Sequence, residues 1–327
     1  MNSLPNVDIS ALYESYDTAA RNATLSSLEQ AYHDTGFAAL VGHPIPATLI
    51  TEMREQVRLL FQRPLAEKRS LCISQDNYRG YIPIGFFTPN AGSDEADYYE
   101  GYKLHEEISL GHPLRTECSL YGPNKWPENS DALQSAVSAY WQHCDQLRDV
   151  LLSAFAEIVG QKPNYFQNWF DVSLSNMTLL HYPASERSGD HYGIHPHKDT
   201  DMLTILAPDP VGGLMLRPKQ SGEWINADAL ENTLIVNVGD MLEIWSNEYF
   251  TSTPHKVVNT SGLERYSFPY FAVPGYDTLI RPEPTANKSK DKAVDREMHC
   301  GEVSAKIWSS NWPDAAAIEN RYDPYIN

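Results

Sequence analysis

From Ser175 to Pro282 the chain breaks into short apolar runs separated by turn residues: SNMTLLHYP, DMLTILAP, GLMLRP, GEWINAD, TLIVNVGD, HKVVNT, RYSFPYFAVP and YDTLIRP. Eight or so strands at this spacing restrict the C-terminal half to an all-β sandwich or jelly roll. The first half reads differently. PNVDIS is a short edge strand, and a helix is expected from about Tyr13 to His33. TGFAALVGHPI follows as a buried strand. Leu49, Met53, Val57, Leu60 and Phe61 mark a second amphipathic helix that Pro64 stops. The longest helical pattern, about Ser130 to Val159, carries an apolar stripe through Leu133, Val137, Trp141, Leu147, Leu151 and Phe155 and serves as scaffold. A last helix is expected from Val303 to Trp308, before a polar tail. These elements make a mainly β protein with flanking helices (α+β). A helical and mixed region, 1–165, packs on a β core, 166–327, and no linker divides this one functional unit.

The 327 residues suffice for a large core. A net charge of −18 argues against a nucleic-acid groove, which needs clustered Lys and Arg. No apolar run is long enough to span a membrane, and the N-terminus lacks the pattern of a signal peptide, so a cytoplasmic protein is expected. Cys72, Cys118, Cys144 and Cys300 form no CxxC pair, which removes zinc knuckles and dithiol redox centres from consideration. Protein partners are not indicated by the sequence.

Chemistry concentrates in YGIHPHKDTDMLTIL. His197 and Asp199 are two residues apart, so on an extended strand they share a face. They supply two thirds of the 2-His-1-carboxylate triad that holds non-haem Fe(II) with positions left open. His255 in TSTPHKVV is the candidate third ligand. His195 lies four residues from Asp199, roughly 13 Å along a strand, and is expected to line the pocket or to support the ligands from behind; His191 is the other competitor. No HExxH motif occurs, although a mononuclear zinc hydrolase built on the same three residues stays open. Arg265 and Ser267 share a face of RYSFPYF, where a guanidinium fork and a hydroxyl can clasp a carboxylate. Tyr182 can donate to the same acid, with Asn176 or Thr178 close by. The stretch from Asn77 to Tyr102 reads as a loop with some strand in which Tyr78, Arg79, Tyr81, Phe86, Phe87, Tyr98 and Tyr99 can line a pocket or pack a surface loop. Arg79, Tyr81, Phe86 and Tyr98, with Trp245, are the candidates for substrate contact, and Arg79 or Lys103 can meet an acid there. The segment 282–298, with Lys288, Lys290, Asp291, Lys292 and Asp295, is expected to be a loop or lid. A cupin-like binding or sensor protein is the non-enzymatic alternative.

Over nearly its whole length the chain resembles the Fe(II)- and 2-oxoglutarate-dependent oxygenases of the isopenicillin N synthase-like family. TGFAALVGHPIP, NYRGYIP and YGPNKWP match N-terminal segments of that family. HKDTDMLTIL matches its metal strand, VGGLMLRPKQSGEWINA its hairpin, TLIVNVGDMLEIWSNEYF its VNxGDxLxxWSN run, and TPHKVV with ERYSFPYFAVPGYD its distal histidine and RxS pair. The resemblance implies a distorted double-stranded β-helix core. It also implies that His197, Asp199 and His255 hold Fe(II), and that Arg265, Ser267 and Tyr182 hold the 2-oxoglutarate cosubstrate. With O2, the reaction would oxidise a small-molecule metabolite of secondary metabolism, hydroxylation foremost, releasing succinate and CO2. Desaturation, oxidative cyclisation, or an oxidase that uses no 2-oxoglutarate are the alternatives within the family. The carboxylate at Asp199 leaves no place for a halide. Two departures, EYF after WSN and the charged 282–298 segment, are expected to fall where substrate is chosen.

Overall fold

The computed structural model describes residues 3–14, 18–87, 96–109, 111–184, 192–227, 232–259, 261–284, 286–287, 289 and 293–310. His191, Lys288, Lys290, Asp291, Lys292 and the polar tail lie outside the described residues. In chain order the elements are β1 (Asn6–Asp8), α1 (Thr18–Asp34), β2 (Phe37–Val41), α2 (Ala47–Phe61), α3 (Leu65–Ser70), β3 (Gly80–Ile82), β4 (Glu100–His105), α4 (Leu114–Glu117) and α5 (Asp131–Ile158). The second half contains β5 (Asn176–Tyr182), β6 (Tyr192–His197), β7 (Leu203–Leu206), β8 (Leu214–Leu216), β9 (Ile225–Asn226), β10 (Leu234–Val238), α6 (Asp240–Trp245), β11 (His255–Val258), β12 (Arg265–Ser267), β13 (Tyr270–Ala272), β14 (Leu279–Ile280), β15 (Met298–His299) and α7 (Cys300–Ser310). The first long helix spans Thr18–Asp34, and a 3-10 turn at Ser10–Leu12 precedes it.

Two sheets face each other as a jelly roll. The larger runs β1-β2-β10-β7-β13-β5-β4-β3, with β12 pairing the far end of β5; the smaller runs β6-β11-β8-β9. Pro269, which has no N–H to give a ladder, falls in the gap between β12 and β13. Segment 1–165 contributes β1, β2, β3 and β4 to the larger sheet, so the sheet is built from both halves of the chain.

The larger sheet is buried on both sides, and strict alternation sorts its residues. Ala38, Leu40, Tyr102, Leu104, Met177, Leu179, Leu203, Ile205, Val236 and Tyr266 belong to the large core cluster that also holds Leu28 of α1, Met53 and Val57 of α2, and Leu147 and Leu151 of α5. The alternate residues Phe37, Ala39, Leu180, Tyr182, Leu206 and Ile235 meet Leu214, Leu216 and Val257 of the smaller sheet. Towards one end of the sandwich the inward row turns polar, with Lys103, Thr178, Thr204 and Asn237. That polar end is where a site can form.

The α1–β2 junction depends on Gly36. Its N–H bonds to the carbonyl of Ala31 in a left-handed turn (φ 70°), and a Cβ there would lie 2.0 Å from the Thr251 carbonyl oxygen. Gly36→Ala is therefore expected to lower stability by about 1 kcal/mol or more, read as a reduced midpoint in urea unfolding.

Candidate functional site

β6 and β11 pair antiparallel with His197 directly opposite His255. This register brings together two histidines 58 positions apart, their ring centroids separated by 4.3 Å. Asp199 follows where the chain leaves β6. Its Oδ1 lies 3.7 Å from His197 Nε2 and 3.6 Å from His255 Nε2, and one ligand atom from each residue falls within 4.8 Å of the others.

Hydrogen bonds fix which atoms face inward. The Nδ1 of His197 is 2.8 Å from the His195 carbonyl, and that of His255 is 3.1 Å from the Thr253 carbonyl. Each Nδ1 must be protonated to donate there, which leaves the Nε2 lone pairs directed at the centre. Burial, then the neighbouring His255, lowers the pKa of His197 and favours the neutral imidazole a metal needs. Asp199 Oδ2 is held by Thr204 Oγ1 at 2.6 Å and Asn237 Nδ2 at 2.8 Å, leaving Oδ1 to face the histidines. Burial works to raise the Asp199 pKa, but the two imidazoles and these hydrogen bonds outweigh it and hold the carboxyl below its ordinary value. Thr204 Oγ1 is also 2.8 Å from Asp201 Oδ2. A hydroxyl gives one hydrogen, so one of the two acids must bring its own. Burial, then the charge of Asp199, pushes Asp201 well upward and makes it the proton carrier.

A cavity of about 590 Å³ opens beside this cluster. His197, Asp199 and Asp201 form one side; Tyr78, Ile82, Phe87 and Tyr99 form another, and Val303, Ile307 and Trp308 of α7 a third. His195 lines it too, its Nδ1 held 2.6 Å from Asp97 Oδ1.

Deeper in the sandwich, Arg265 lies opposite Tyr182 in the β12–β5 register. The guanidinium carbon sits 4.7 Å from the centre of the Tyr182 ring, and Nε donates to the Gly212 carbonyl at 2.6 Å. Arg265 is 2% exposed, yet its Nη1 has no protein partner, and neither does the buried hydroxyl of Tyr182. No carboxylate among the described residues comes within ion-pair distance of Arg265. A buried guanidinium with no acid partner and a free Nη1, stacked beside the Tyr182 ring, fits an anionic ligand. Ser267, two residues on and buried, takes the same face.

The five pocket candidates sit elsewhere. Arg79 is buried behind the wall and donates to the Leu120 carbonyl. Tyr81 bonds to Glu100 at 2.6 Å in a buried polar group with Lys68 and His181, on the helix side of the sheet. Phe86 packs with Ile73, Tyr78 and Ile82. Tyr98 is outside the cavity lining. Trp245 is fully buried in α6 against Tyr165 and Phe166, ring centroids 5.2 and 4.5 Å away. The turn after WSN also stands away from the cavity: Asn247 and Glu248 adopt left-handed conformations, and Tyr249 bonds to Glu29 of α1. Thr204 and Asn237 were not anticipated as partners of Asp199, although LTIL and VNVGD contain both. Among the described residues, no helix is long and apolar enough to cross a membrane.

A family model described as the 2OG-Fe(II) oxygenase superfamily matches residues 173–274, and another, the non-haem dioxygenase in morphine synthesis N-terminal region, matches residues 4–129. The chain is similar to homoarginine-6-hydroxylase 2-ODD-C23 of Glycine max, at 29% identity over 329 residues, covering 92% of this chain and 96% of that protein. It is 27% identical over 296 residues to the 2-oxoglutarate-Fe(II) type oxidoreductase hxnY of Emericella nidulans, covering 88% and 84%. The solved structure of a full-length Neurospora crassa protein in complex with alpha-KG superposes with a TM-score of 0.83 at 26% identity, covering 94% of this chain and 96% of that one.

Proposed function

The chain belongs to the 2OG-Fe(II) oxygenase superfamily, and from that premise we propose that His197, Asp199 and His255 hold the Fe(II), while Arg265, Ser267 and Tyr182 hold 2-oxoglutarate. Its activity is Fe(II)- and 2-oxoglutarate-dependent oxidation of a small molecule. The observation that carries the residue assignment is the convergence of two Nε2 atoms and one carboxylate oxygen beside a cavity. Two neutral nitrogens and one anionic oxygen suit Fe(II) and leave coordination positions for ligands.

Bound iron and 2-oxoglutarate, with O2, supply an oxidative decarboxylation to succinate and CO2 that puts one oxygen atom on the substrate. The protein's own residues set the geometry. The carbonyls of His195 and Thr253 keep both rings turned with Nε2 inward, and Thr204 with Asn237 keeps Asp199 from rotating. Arg265 and Tyr182 present their unpaired donors to the far carboxylate of the cosubstrate. Val303, Ile307 and Trp308 of α7 give the cavity an apolar wall. Hydroxylation is the outcome we favour, in line with the hydroxylase among the relatives. An oxidase without 2-oxoglutarate would not need the donors of Arg265 and Tyr182 unless its substrate supplied the acid.

Succinate formed in proportion to an added small molecule tests this reading; substrate oxidation with no 2-oxoglutarate consumed would overturn it. A further expectation concerns Gly193 on β6. A Cβ there would lie 2.7 Å from a ring carbon of Tyr182, so Gly193→Ala must displace that ring. We expect Gly193→Ala to raise the KM for 2-oxoglutarate by about tenfold, the worth of one hydrogen bond, with iron content unchanged.

A further inference from the structure

Lys103 occupies the middle of β4 and, by strand alternation, faces the cavity, while Tyr102 and Leu104 face the helices. Its Nζ donates to Asn176 Oδ1 at 2.6 Å and to Thr178 Oγ1 at 2.9 Å, both on the neighbouring strand β5. It also lies 5.1 Å from the centre of the Phe271 ring. Every acceptor around it is neutral. An ammonium has three hydrogens, and those two bonds use two.

The other ionisable groups of the cavity have nearer partners. Lys198 pairs with Asp240 and Glu243, each at 3.0 Å. Asp97 takes both the ring and the backbone N–H of His195, Asp199 faces the two histidines, and Asp201 shares Thr204. Among the described residues no carboxylate reaches ion-pair distance of Lys103. Phe87, Tyr99, Met241, Phe271 and Ile307 make the rest of the wall mainly apolar. A cation in such a place, with neutral partners only, carries a desolvation cost that an anionic ligand would offset. Burial pulls its ammonium down to about 7, against the opposing influence of Asp199 and Asp201.

We propose that Lys103 is the specificity-determining residue of the cavity and that the substrate is a compact, mainly apolar molecule bearing one carboxylate, which the third N–H of Lys103 receives. This rests on the metal and 2-oxoglutarate assignment above. The acid end is fixed at β4, the apolar body lies against Phe271 and Met241, and a carbon of that body is presented to the His197–Asp199–His255 cluster.

The test uses the full chain loaded anaerobically with Fe(II) and 2-oxoglutarate and titrated calorimetrically with matched probes: phenylacetate, indole-3-acetate and cyclohexylacetate, each against its primary amide. The acids are expected to bind about 10- to 100-fold tighter than the amides, the worth of one charge-assisted hydrogen bond. Lys103→Met should erase that preference and Lys103→Arg should keep it. Lys103→Gln serves if the methionine variant does not fold. Amides binding as well as acids, no acid binding at all, or the acid preference persisting in a folded Lys103→Met or Lys103→Gln protein would each overturn the proposal. Visible absorption of the same samples reports the iron–2-oxoglutarate complex. Its absence in the unmodified protein would overturn the metal-site assignment, whereas its presence with blindness to acids would overturn the role of Lys103 alone.

Discussion

His255→Ala is expected to yield a folded protein that retains no stoichiometric Fe(II) and releases no measurable succinate. His255 supplies one of only two nitrogens in the cluster, and its Nε2 is aimed by a 3.1 Å contact between Nδ1 and the Thr253 carbonyl. Asp199 and His197 alone cannot hold a three-coordinate protein frame around the metal. The ring also packs edge-on against Phe37 at 5.3 Å, so truncation removes contacts in the sandwich interior. That loss should cost about 1 to 3 kcal/mol, well short of what unfolds a domain of this size. Metal analysis after gel filtration, beside a thermal melt, separates loss of the ligand from loss of the fold. Normal iron content with normal turnover would remove His255 from the site.

Arg265→Ala is expected to raise the KM for 2-oxoglutarate by roughly two orders of magnitude, with iron binding preserved. A guanidinium–carboxylate contact is charge-assisted and often bidentate, and one such bond is worth about 1.5 to 3 kcal/mol. At about 1.4 kcal/mol per tenfold change, a hundredfold loss follows. Arg265→Lys keeps the charge and loses the planar fork, and should recover only part of the affinity. Steady-state kinetics over 2-oxoglutarate concentration reads both variants. An unchanged KM in Arg265→Ala would place the acid on other residues.

The centre of this site was legible because its chemistry is carried by spacing. HxD on a strand already puts an imidazole beside a carboxylate. The β6–β11 register then sets His255 opposite His197, and the β12–β5 register sets Arg265 opposite Tyr182. The jelly roll was legible in the succession of short runs. The pocket wall was legible in part: Tyr78, Phe87 and Tyr99 of the aromatic stretch line the cavity, and the misses beside them have one cause. Tyr81, Phe86 and Tyr98 each stand one residue from a residue that does line the cavity: Ile82, Phe87 and Tyr99. Arg79 likewise stands next to Tyr78. Strands and extended loops alternate faces, and both faces of this sheet are buried under apolar cover, so residue type alone does not say which side is which. Trp245, at the end of α6, falls into the large core cluster instead. The expectation that the turn after WSN chooses substrate failed because Tyr249 is bound to α1. The wall is completed by α7, whose Val303, Ile307 and Trp308 recur at helical spacing.

We propose that His197, Asp199 and His255 together hold the iron while Arg265 on β12 holds the cosubstrate. A crystal structure grown anaerobically with Fe(II) and 2-oxoglutarate tests it most directly. One metal ion is expected, bound by His197 Nε2, Asp199 Oδ1 and His255 Nε2, with the far carboxylate of 2-oxoglutarate on Arg265, Ser267 and Tyr182. Metal at that cluster with the acid bound by other residues, or metal bound away from the cluster, would contradict it.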